Sequence, residues 1–150
     1  MMLLSRRSLL AIAAVVDIAL HARPTPVAAK MLAGRHNLPP RHLETVLQAL
    51  VRAGVLKGVR GPRGGYELAR ERRRVTAGEI VRAAMTVTGE ESLPPLPESR
   101  LVDEVVAPLV SRATDAFLSA LDGVTIEDLC RQADERGVFG GVPSTADFTI

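Results

Sequence analysis

The chain has 150 residues, 47% of them hydrophobic, but no Trp, one Tyr and three Phe, so a core of aliphatic side chains is expected. Its single cysteine, Cys130, excludes an internal disulfide and a four-cysteine zinc or iron–sulfur site within one chain, and suits a reducing cytoplasmic setting. Residues 1–85 carry 15 Lys or Arg against 5 Asp or Glu, and residues 86–150 carry 4 against 12, so the net charge of +2 divides into a basic front and an acidic back. A basic front half indicates a phosphate-bearing partner such as nucleic acid or an anionic membrane.

The first segment has two interpretations. The run SRRSLLAIAAVV places Arg6 and Arg7 before an apolar stretch, which is the pattern of a twin-arginine export signal. The apolar stretch is short, however, Asp17 interrupts it, and it cannot span a bilayer. A mixed amphipathic helix over roughly 5–22 accounts better for the same residues, and we expect no membrane partner.

The next two elements predict a helix-turn-helix. Prolines after Arg23 break the chain, and a short helix is predicted over 27–35 with Val27, Met31 and Leu32 on one face. Pro39 and Pro40 then open a helix over 41–54. Its apolar stripe consists of Leu43, Val46, Leu47, Leu50 and Val51, and its other faces carry Arg41, Glu44, Thr45, Gln48 and Arg52. Two short helices joined by a tight turn, the second polar outside, are typical of DNA-binding domains.

The stretch VRGPRGGYEL, residues 59–68, follows these helices. Its flanks predict two strands, 55–60 and 64–68, joined by a turn rich in glycine and proline. It lacks the GxxxxGK[ST] spacing and the following helix of a phosphate-binding loop. A hairpin in this position is typical of a wing, whose Arg60 and Arg63 would suit a narrow, electronegative minor groove. The alternative is a basic surface hairpin without a partner.

Three further segments complete the basic half and join it to the acidic half. RERRR, residues 70–74, is a basic run, interpreted as a solvated loop. Thr76 is predicted to cap a helix, with Glu79 completing a capping box. Residues 86–99 form an acidic, proline-containing linker.

A heptad pattern follows the linker. The apolar seam consists of Val102, Val106, Leu109, Ala113, Ala116 and Ala120, with Phe117 beside it. Pro108 must either kink this helix or begin a new one near Ala107. The seam predicts pairing with a second copy, and the alternative is that it packs on the chain's own N-terminal domain. Thr125 caps a last short helix.

Taken in order, these pieces resemble a known family. The segments AIAAVVDIAL, LPPRHLETVLQALVRAGVLKGVRGPRGGYELA and VTAGEIVRA, within residues 4–85, resemble the Rrf2 family of bacterial winged-helix transcription regulators. This family includes the iron–sulfur cluster regulator, the nitric-oxide-sensing repressor and the cysteine-metabolism repressor. The C-terminal third matches more weakly, through FLSAL and VTIEDL. The resemblance implies a mainly α fold with a small β-hairpin. Its expected parts are a winged helix-turn-helix DNA-binding domain at 1–85, the linker at 86–99, a dimerisation helix and short terminal helix at 100–136, and a tail at 137–150.

The resemblance implies a homodimeric regulator, a repressor, on a two-fold-symmetric site in double-stranded DNA. The recognition helix would enter the major groove and the wing the minor groove. The implied DNA-binding residues are Arg6, Arg7, Arg41, His42, Glu44, Thr45, Gln48, Arg60, Arg63, Gly64 and Gly65. Glu44 matches the family's base reader, and a carboxylate can accept from a cytosine amino group. Arg63 replaces a small residue of the family pattern, and Pro39 and Pro40 replace a Ser-rich start.

The family pattern also raises the question of a cofactor. Many relatives hold an iron–sulfur cluster in the interval that corresponds to 86–108, through three cysteines and a further ligand. This chain has no Cys and no His there, so we expect no cluster, no other cofactor and no metal. Cys130 is either a redox sensor or a buried structural residue, and the latter interpretation is favoured. A small-molecule or protein effector stays open.

Two other function classes remain beside the DNA-binding regulator. In one, the acidic C-terminal half docks a metabolic enzyme or another protein, as the cysteine-metabolism repressor does. In the other, the chain is an enzyme. The sequence offers the latter no nucleophile with an adjacent base, no metal-ligand spacing and no cofactor fingerprint. We therefore predict that the chain is not an enzyme.

Overall fold

The computed structural model describes residues 4–23, 25–87 and 98–139. In chain order the elements are α1 (Arg6–His21), α2 (Ala29–His36), α3 (Pro40–Arg52), β1 (Leu56–Val59), β2 (Gly65–Leu68), a 3₁₀ turn (Arg72–Arg74), α4 (Ala77–Met85), a π-helical segment (Val102–Val106), α5 (Ala107–Asp122) and α6 (Ile126–Glu135). The predicted mainly helical fold with one hairpin is confirmed. Most of the predicted linker and tail lies outside the described residues. Across the ranges given, none of the helices has the length and apolar character needed to cross a membrane.

Local capping determines where several helices begin and end. The Ser5 hydroxyl accepts from the Ser8 N–H at 3.2 Å, which satisfies a free donor in the first turn of α1. At α6, Thr125 and Asp128 form a complete capping box. Of the two hydrogen bonds of the capping box predicted at α4, one is present and the other is not. Thr76 accepts from the Glu79 N–H, but the Glu79 carboxylate pairs with Arg70 instead of turning back to the cap.

The core is aliphatic and surrounds α1, which packs against α3, α4, α6 and β2. The buried residues of α1 are Ala11, Ala14, Val15 and Ile18, and those of α3 include Leu43, Val46, Leu47 and Leu50. Two alanines on one face of α1 let neighbouring helices approach closely. Two residues assigned to apolar faces, Met31 and Val51, are instead 59% and 37% exposed, so the predicted stripes were too wide.

The last helix belongs to the same core. Ile126 and Cys130 of α6 are buried in the cluster that contains the α1 side chains. The Ile126 N–H donates to the Val75 carbonyl and the Ala77 N–H to the Val124 carbonyl, both at 2.8 Å, which join the starts of α4 and α6. Burial raises the pKa of the Cys130 thiol, as the structural interpretation of that residue requires. The division into units at 1–85 and 100–136 stays a prediction.

The hairpin is joined to the helices through backbone hydrogen bonds. β1 and β2 pair antiparallel from Leu56 opposite Leu68 to Val59 opposite Gly65. Beyond β2, the Val27 N–H donates to the Tyr66 carbonyl at 2.9 Å and the Tyr66 N–H to the Val27 carbonyl at 2.8 Å. Val27 was predicted as the start of a helix, but it is extended, and α2 begins at Ala29.

A buried carboxylate lies on α1. Asp17, which the sequence showed only as an interruption of an apolar helix, is 0% exposed. It accepts from Arg35 Nε at 2.9 Å, from an Arg35 terminal nitrogen at 2.7 Å and from His36 Nε2 at 2.6 Å. Burial raises the pKa of Asp17, but the hydrogen bonds from Arg35 and His36 outweigh it and bring the pKa below its ordinary value. Asp17 is therefore ionised within the core.

This lowered pKa predicts a stability contribution with a defined pH window. The contribution is complete above the ordinary aspartate pKa of 3.8 and is lost as the pH falls through the lower value of the folded state. Asp17→Asn should therefore destabilise the chain at pH 7, by about 1 to 3 kcal/mol, because an amide nitrogen replaces one of the two buried oxygens that accept from Arg35 and His36. In thermal unfolding from pH 7 to pH 2, the gap in Tm between wild type and variant should shrink below about pH 4. The exposed Asp103→Asn is the matched control, and a gap that is constant with pH would contradict the assignment.

Candidate nucleic-acid interface

The helix-turn-helix presents one polar face of α3 to solvent. Asn37 takes the left-handed conformation, with φ 53° and ψ 51°, and turns the chain between α2 and α3. Because the apolar face of α3 is buried against the core, its remaining faces point outward. The predicted contact residues Arg41, His42, Glu44, Thr45 and Gln48 are all exposed. The Thr45 hydroxyl donates to the Arg41 carbonyl at 3.2 Å, so only its acceptor capacity is free for a ligand.

The wing carries two arginines at its tip. Arg60 and Arg63 are both exposed, and neither has a carboxylate at ion-pair distance within the described ranges. Lower on the same hairpin, Lys57 pairs with Glu67 across the strands at 3.0 Å. The uncompensated positive charge of the wing therefore lies at its tip.

The two glycines predicted to contact DNA have a packing role. A Cβ on Gly64 would collide with the carbonyl oxygen of Val59, and a Cβ on Gly65 with the carbonyl of Val27. Both positions therefore require the absence of a side chain, since the backbone passes too close. Contact of these glycines with DNA stays a prediction, while their close approach to neighbouring backbone is an observed feature.

Tyr66 of the wing lies beside α3, although no sequence motif pointed to this residue. Its side chain lines a groove of about 330 Å³ together with Gln48, Arg52 and Gly58. Burial raises the pKa of the Tyr66 hydroxyl, and the charge of the Glu44 carboxylate raises it further, so the hydroxyl stays a neutral donor. The available signal was that the only tyrosine of the chain lies in a wing strand.

The start of α1 contributes the third part of this face. Arg6 and Arg7 both border a groove of about 410 Å³ that also touches Leu38, Pro39 and His42, at the start of α3. Arg6 is exposed, whereas Arg7 is half-buried and donates to the Val87 carbonyl, just after α4, at 3.0 Å. The structure thus brings both arginines beside the start of α3, and Arg7 is the more restrained of the two.

Ion pairs within the chain neutralise part of the positive charge of the basic half. Arg35, Arg70, Arg72 and Arg82 each pair with a carboxylate of the chain. The arginines of α3, the wing tip and the start of α1 have no such partner in the part of the chain that is described; these are Arg6, Arg7, Arg41, Arg52, Arg60 and Arg63. Arg73 and Arg74 of the 3₁₀ turn are likewise unpaired there and exposed, as a solvated basic run would be. The exposed arginines of α3 and the wing tip thus keep their charge available to a ligand, and Arg23, Arg112 and Arg136 do so elsewhere in the described residues.

The predicted dimerisation residues lie on an uncovered helix. Val106 is 41% exposed and Leu109 57%, and Ala113, Ala116 and Ala120 are exposed as well. Val102 and Phe117 are half-buried. At its far end α5 packs on α4, where Arg82 bonds Asp122 and Leu118 is buried. In the described residues the first half of the seam is therefore not covered by the chain's own domain.

The proline in this segment is accommodated by a wider turn. The Ala107 N–H donates to the Val102 carbonyl five residues back, which makes Val102–Val106 π-helical, and α5 begins at Ala107 as one of the two alternatives proposed. We attribute the wider turn to Pro108, whose ring would clash with the carbonyl four residues earlier in a regular α-helix.

The donor side chains of the described residues are not grouped as a metal centre would require. Among residues 4–23, 25–87 and 98–139, no group of three or more His, Cys, Asp or Glu side chains is placed to hold a metal ion. The single cysteine is buried in the core between α1 and α6. Thiolate ligation of an iron–sulfur cluster by three cysteines of this chain is therefore impossible.

The role of Gly65 leads to a matched test. Gly65→Ala should destabilise the chain by about 1 to 3 kcal/mol, because the new methyl group overlaps the Val27 carbonyl and must push the wing from α2. Gly58→Ala, on the paired strand, is the control, since a Cβ there meets nothing within 4 Å. Thermal denaturation compares the two variants. Equal Tm values would show that close approach at Gly65 does not constrain the wing.

Comparison with known proteins agrees with this geometry. The family model Rrf2, described as an iron-dependent transcriptional regulator, matches residues 4–132. The helix-turn-helix transcriptional regulator slr0846 of Synechocystis is 35% identical over 133 residues, which are 85% of this chain and 87% of that protein. Among solved structures, T. potens IscR aligns with a TM-score of 0.67 at 30% identity, covering 90% of each chain. The structure of CymR, the global cysteine regulator of Bacillus subtilis, aligns with a TM-score of 0.64 at 29% identity, covering 87% of this chain and 97% of that one. The chain belongs to the Rrf2 family and is a DNA-binding transcriptional regulator, not an enzyme.

Proposed function

We propose that the chain represses transcription by binding a two-fold-symmetric operator as a homodimer, with α3 in the major groove and the wing in the minor groove. The observation that carries the proposal is that α3, the wing tip and the start of α1 all carry exposed arginines with no carboxylate partner in the described residues. These arginines are available to phosphates, whereas Arg35, Arg70 and Arg82 each pair with a carboxylate of the chain.

Base selection would come from the exposed start of α3. Arg41 is a donor suited to guanine, Glu44 an acceptor suited to a cytosine amino group, and Gln48 a bidentate partner for adenine. All three side chains are exposed and lie on one helix whose other face is buried, which supports their entering one groove together. Thr45 and His42 stand beside them and would contribute contacts to base edges or phosphates.

The wing and the start of α1 would supply contacts to the groove and backbone. Arg60 and Arg63, exposed at the wing tip, would enter a minor groove beside the α3 contact, where the negative potential is greatest when the groove is narrow. Arg6 at the first turn of α1 would reach the sugar–phosphate backbone, and Arg7 would do so less because it is already bonded to Val87. Gly64 and Gly65, which have no side chains, would then allow the backbone of the wing to approach the DNA closely.

Homodimer formation rests on the uncovered apolar surface of the segment 101–110. Five large apolar residues there are 41% to 65% exposed: Leu101, Val105, Val106, Leu109 and Val110. A patch of this kind on one protein surface marks an interaction site. A second copy that covers it about a two-fold axis gives each dimer two recognition helices, which fits a symmetric operator.

The proposed regulator works without an iron–sulfur cluster, although the family is described as iron-dependent. The chain has one cysteine, and it is buried. DNA binding would therefore be switched on or off by another effector, either a small molecule or a protein partner.

The DNA contacts predict two different binding defects. Arg60→Ala should weaken binding to operator and scrambled duplexes by similar factors and reduce the slope of log K against log salt by about 1. Glu44→Ala should keep its affinity for scrambled DNA and lose about 1 to 3 kcal/mol of discrimination at one base pair in each half-site. Fluorescence anisotropy with duplexes selected by the wild-type protein measures both.

Arg136→Ala, at the end of α6, is the matched control, since it removes an exposed arginine away from α3 and the wing. It should change neither quantity. Equal losses for Arg60→Ala and Arg136→Ala would contradict the proposed interface, because the effect would then come from net charge alone.

The dimer predicts a specific monomeric variant. Leu109→Glu places a charge in the apolar patch and should convert the protein from dimer to monomer in analytical ultracentrifugation, with loss of operator affinity of at least tenfold. Ser111→Glu adds the same charge to the same helix outside the seam and should leave a dimer. A dimeric Leu109→Glu protein would exclude this surface as the interface.

The prediction that the protein holds no iron–sulfur cluster can be tested directly. After anaerobic incubation with iron and sulfide followed by desalting, the protein should hold well under one iron per chain and show no visible absorption band, because the thiolate ligands are missing. Stoichiometric iron with a visible band would contradict the proposal.

A further inference from the structure

Asp17, His21, Arg35 and His36 form a polar cluster, called here the Asp17 cluster, next to the turn of the helix-turn-helix. Arg35 and His36 are the last two residues of α2, and α3 begins at Pro40. Between them stands the left-handed Asn37, which turns the chain. A displacement of the last turn of α2 would therefore pass, over four residues, into the position of the first turn of α3.

The carboxylate of Asp17 fixes that last turn on both of its oxygens. Oδ1 accepts from an Arg35 terminal nitrogen at 2.7 Å and lies 3.2 Å from His21 Nδ1. Oδ2 accepts from Arg35 Nε at 2.9 Å and from His36 Nε2 at 2.6 Å. A planar guanidinium held at two points leaves little freedom of rotation, and the third bond restrains the neighbouring residue. Because Asp17 is 0% exposed within α1, these bonds tie α2 to the centre of the fold.

The apolar packing of α2 is too small to fix this helix alone. Only Leu32 and Ala33 of its eight residues are buried, and its first residue follows Ala28, which offers no side-chain cap. Helices this short depend on tertiary contacts for their stability. By comparison, α3 buries five residues, so its apolar face defines its rotation about its own axis. The direction in which the chain leaves α2 depends on the polar contacts.

The cluster is also shielded at its surface. The Phe139 ring, just after α6, meets the His21 ring edge-on with centroids 4.8 Å apart and the His36 ring at 6.3 Å. This cover keeps water from competing for the carboxylate, which strengthens hydrogen bonds of charged groups. No other buried charged side chain occurs in the described part of the chain. Because burying a charge costs desolvation free energy, the presence of one here suggests a specific role for Asp17.

We propose that Asp17 is a positioning residue for DNA recognition: by holding Arg35 and His36, it sets the direction in which α3 meets the major groove. The inference rests on the proposed function, because it concerns the same recognition helix. Asp17 itself is buried and would touch no DNA. It would act on base discrimination, whereas the phosphate contacts of the wing would stay unchanged.

The test compares specific with non-specific binding. Operator duplexes selected from random sequence by the wild-type protein, and scrambled duplexes of equal length, are titrated at pH 7, with the folded fraction measured by circular dichroism. Asp17→Asn should lower operator affinity at least tenfold and change affinity for scrambled DNA less than twofold. Val81→Ala, a buried substitution in α4, is the matched control for stability and should keep the wild-type ratio of the two affinities.

A double variant separates positioning from stability. Asp17→Asn combined with Arg35→Gln removes both charges and should recover Tm relative to Asp17→Asn, since the glutamine amide supplies an acceptor for the buried asparagine amide where arginine has only donors. Its operator preference should stay low because a glutamine amide cannot form the two-point bond. If Asp17→Asn does not fold, this variant decides the question.

Two results would overturn the inference, and they are distinguishable from failure of the proposed function. One is a proportional loss of both affinities that follows the unfolded fraction. The other is recovery of operator preference together with Tm in the double variant. If the wild-type protein selects no duplex over scrambled DNA, the proposed function itself fails, and the positioning role falls with it.

Discussion

The packing of other elements around the small-residue face of α1 is the constraint on which the rest of the structure depends. Ala11 and Ala14 are buried where α3, α4, α6 and β2 meet this helix. A core without buried phenylalanine or tryptophan in the described residues gains its stability from many aliphatic contacts, each buried Val, Leu or Ile contributing about 1.5 to 3 kcal/mol. Such contacts require close approach, and small residues on the central helix provide it. The polar face of α3 is exposed because its opposite face is used against α1.

The position of the wing follows from backbone contacts and not from side-chain packing. Val27 adds one extended residue beside β2, so a hairpin of two short strands is held on both sides. A two-stranded hairpin is at best marginally stable alone, and this attachment joins it to the residues just before α2. Gly65 is required at the contact because any side chain would meet the Val27 carbonyl. The wing and the helix-turn-helix are thus set relative to each other by the same few atoms.

Local signals in the sequence were sufficient to predict the helices and strands. They were not sufficient to predict contacts between residues that are distant in the chain. The prolines before α3, the glycine-rich turn of the wing and the apolar period of α3 depend on neighbours in the chain, and each predicted its element. Asp17 is different, because its partners lie 18 and 19 residues away and its charge became meaningful only once α2 folded against α1. The same holds for Arg7, whose acceptor is 80 residues away, and for Tyr66, which reaches α3 from the wing. Among the predicted site residues, exposure followed from the pattern of α3, and the contacts with DNA stay predictions.

The π-helical turn before Pro108 changes the shape of the surface that a second copy would meet. In a regular α-helix each residue advances by about 100°, and a 4-3-4-3 spacing makes one straight stripe. The wider turn at Val102–Val106 takes up additional chain in one revolution, so the apolar residues before and after it face directions that differ by part of a turn. Two such helices would then cross over a short contact and would not run alongside each other. A short crossing acts as a pivot, and its angle would decide how far apart the two recognition helices stand, measured against the roughly 34 Å between successive major-groove faces of DNA.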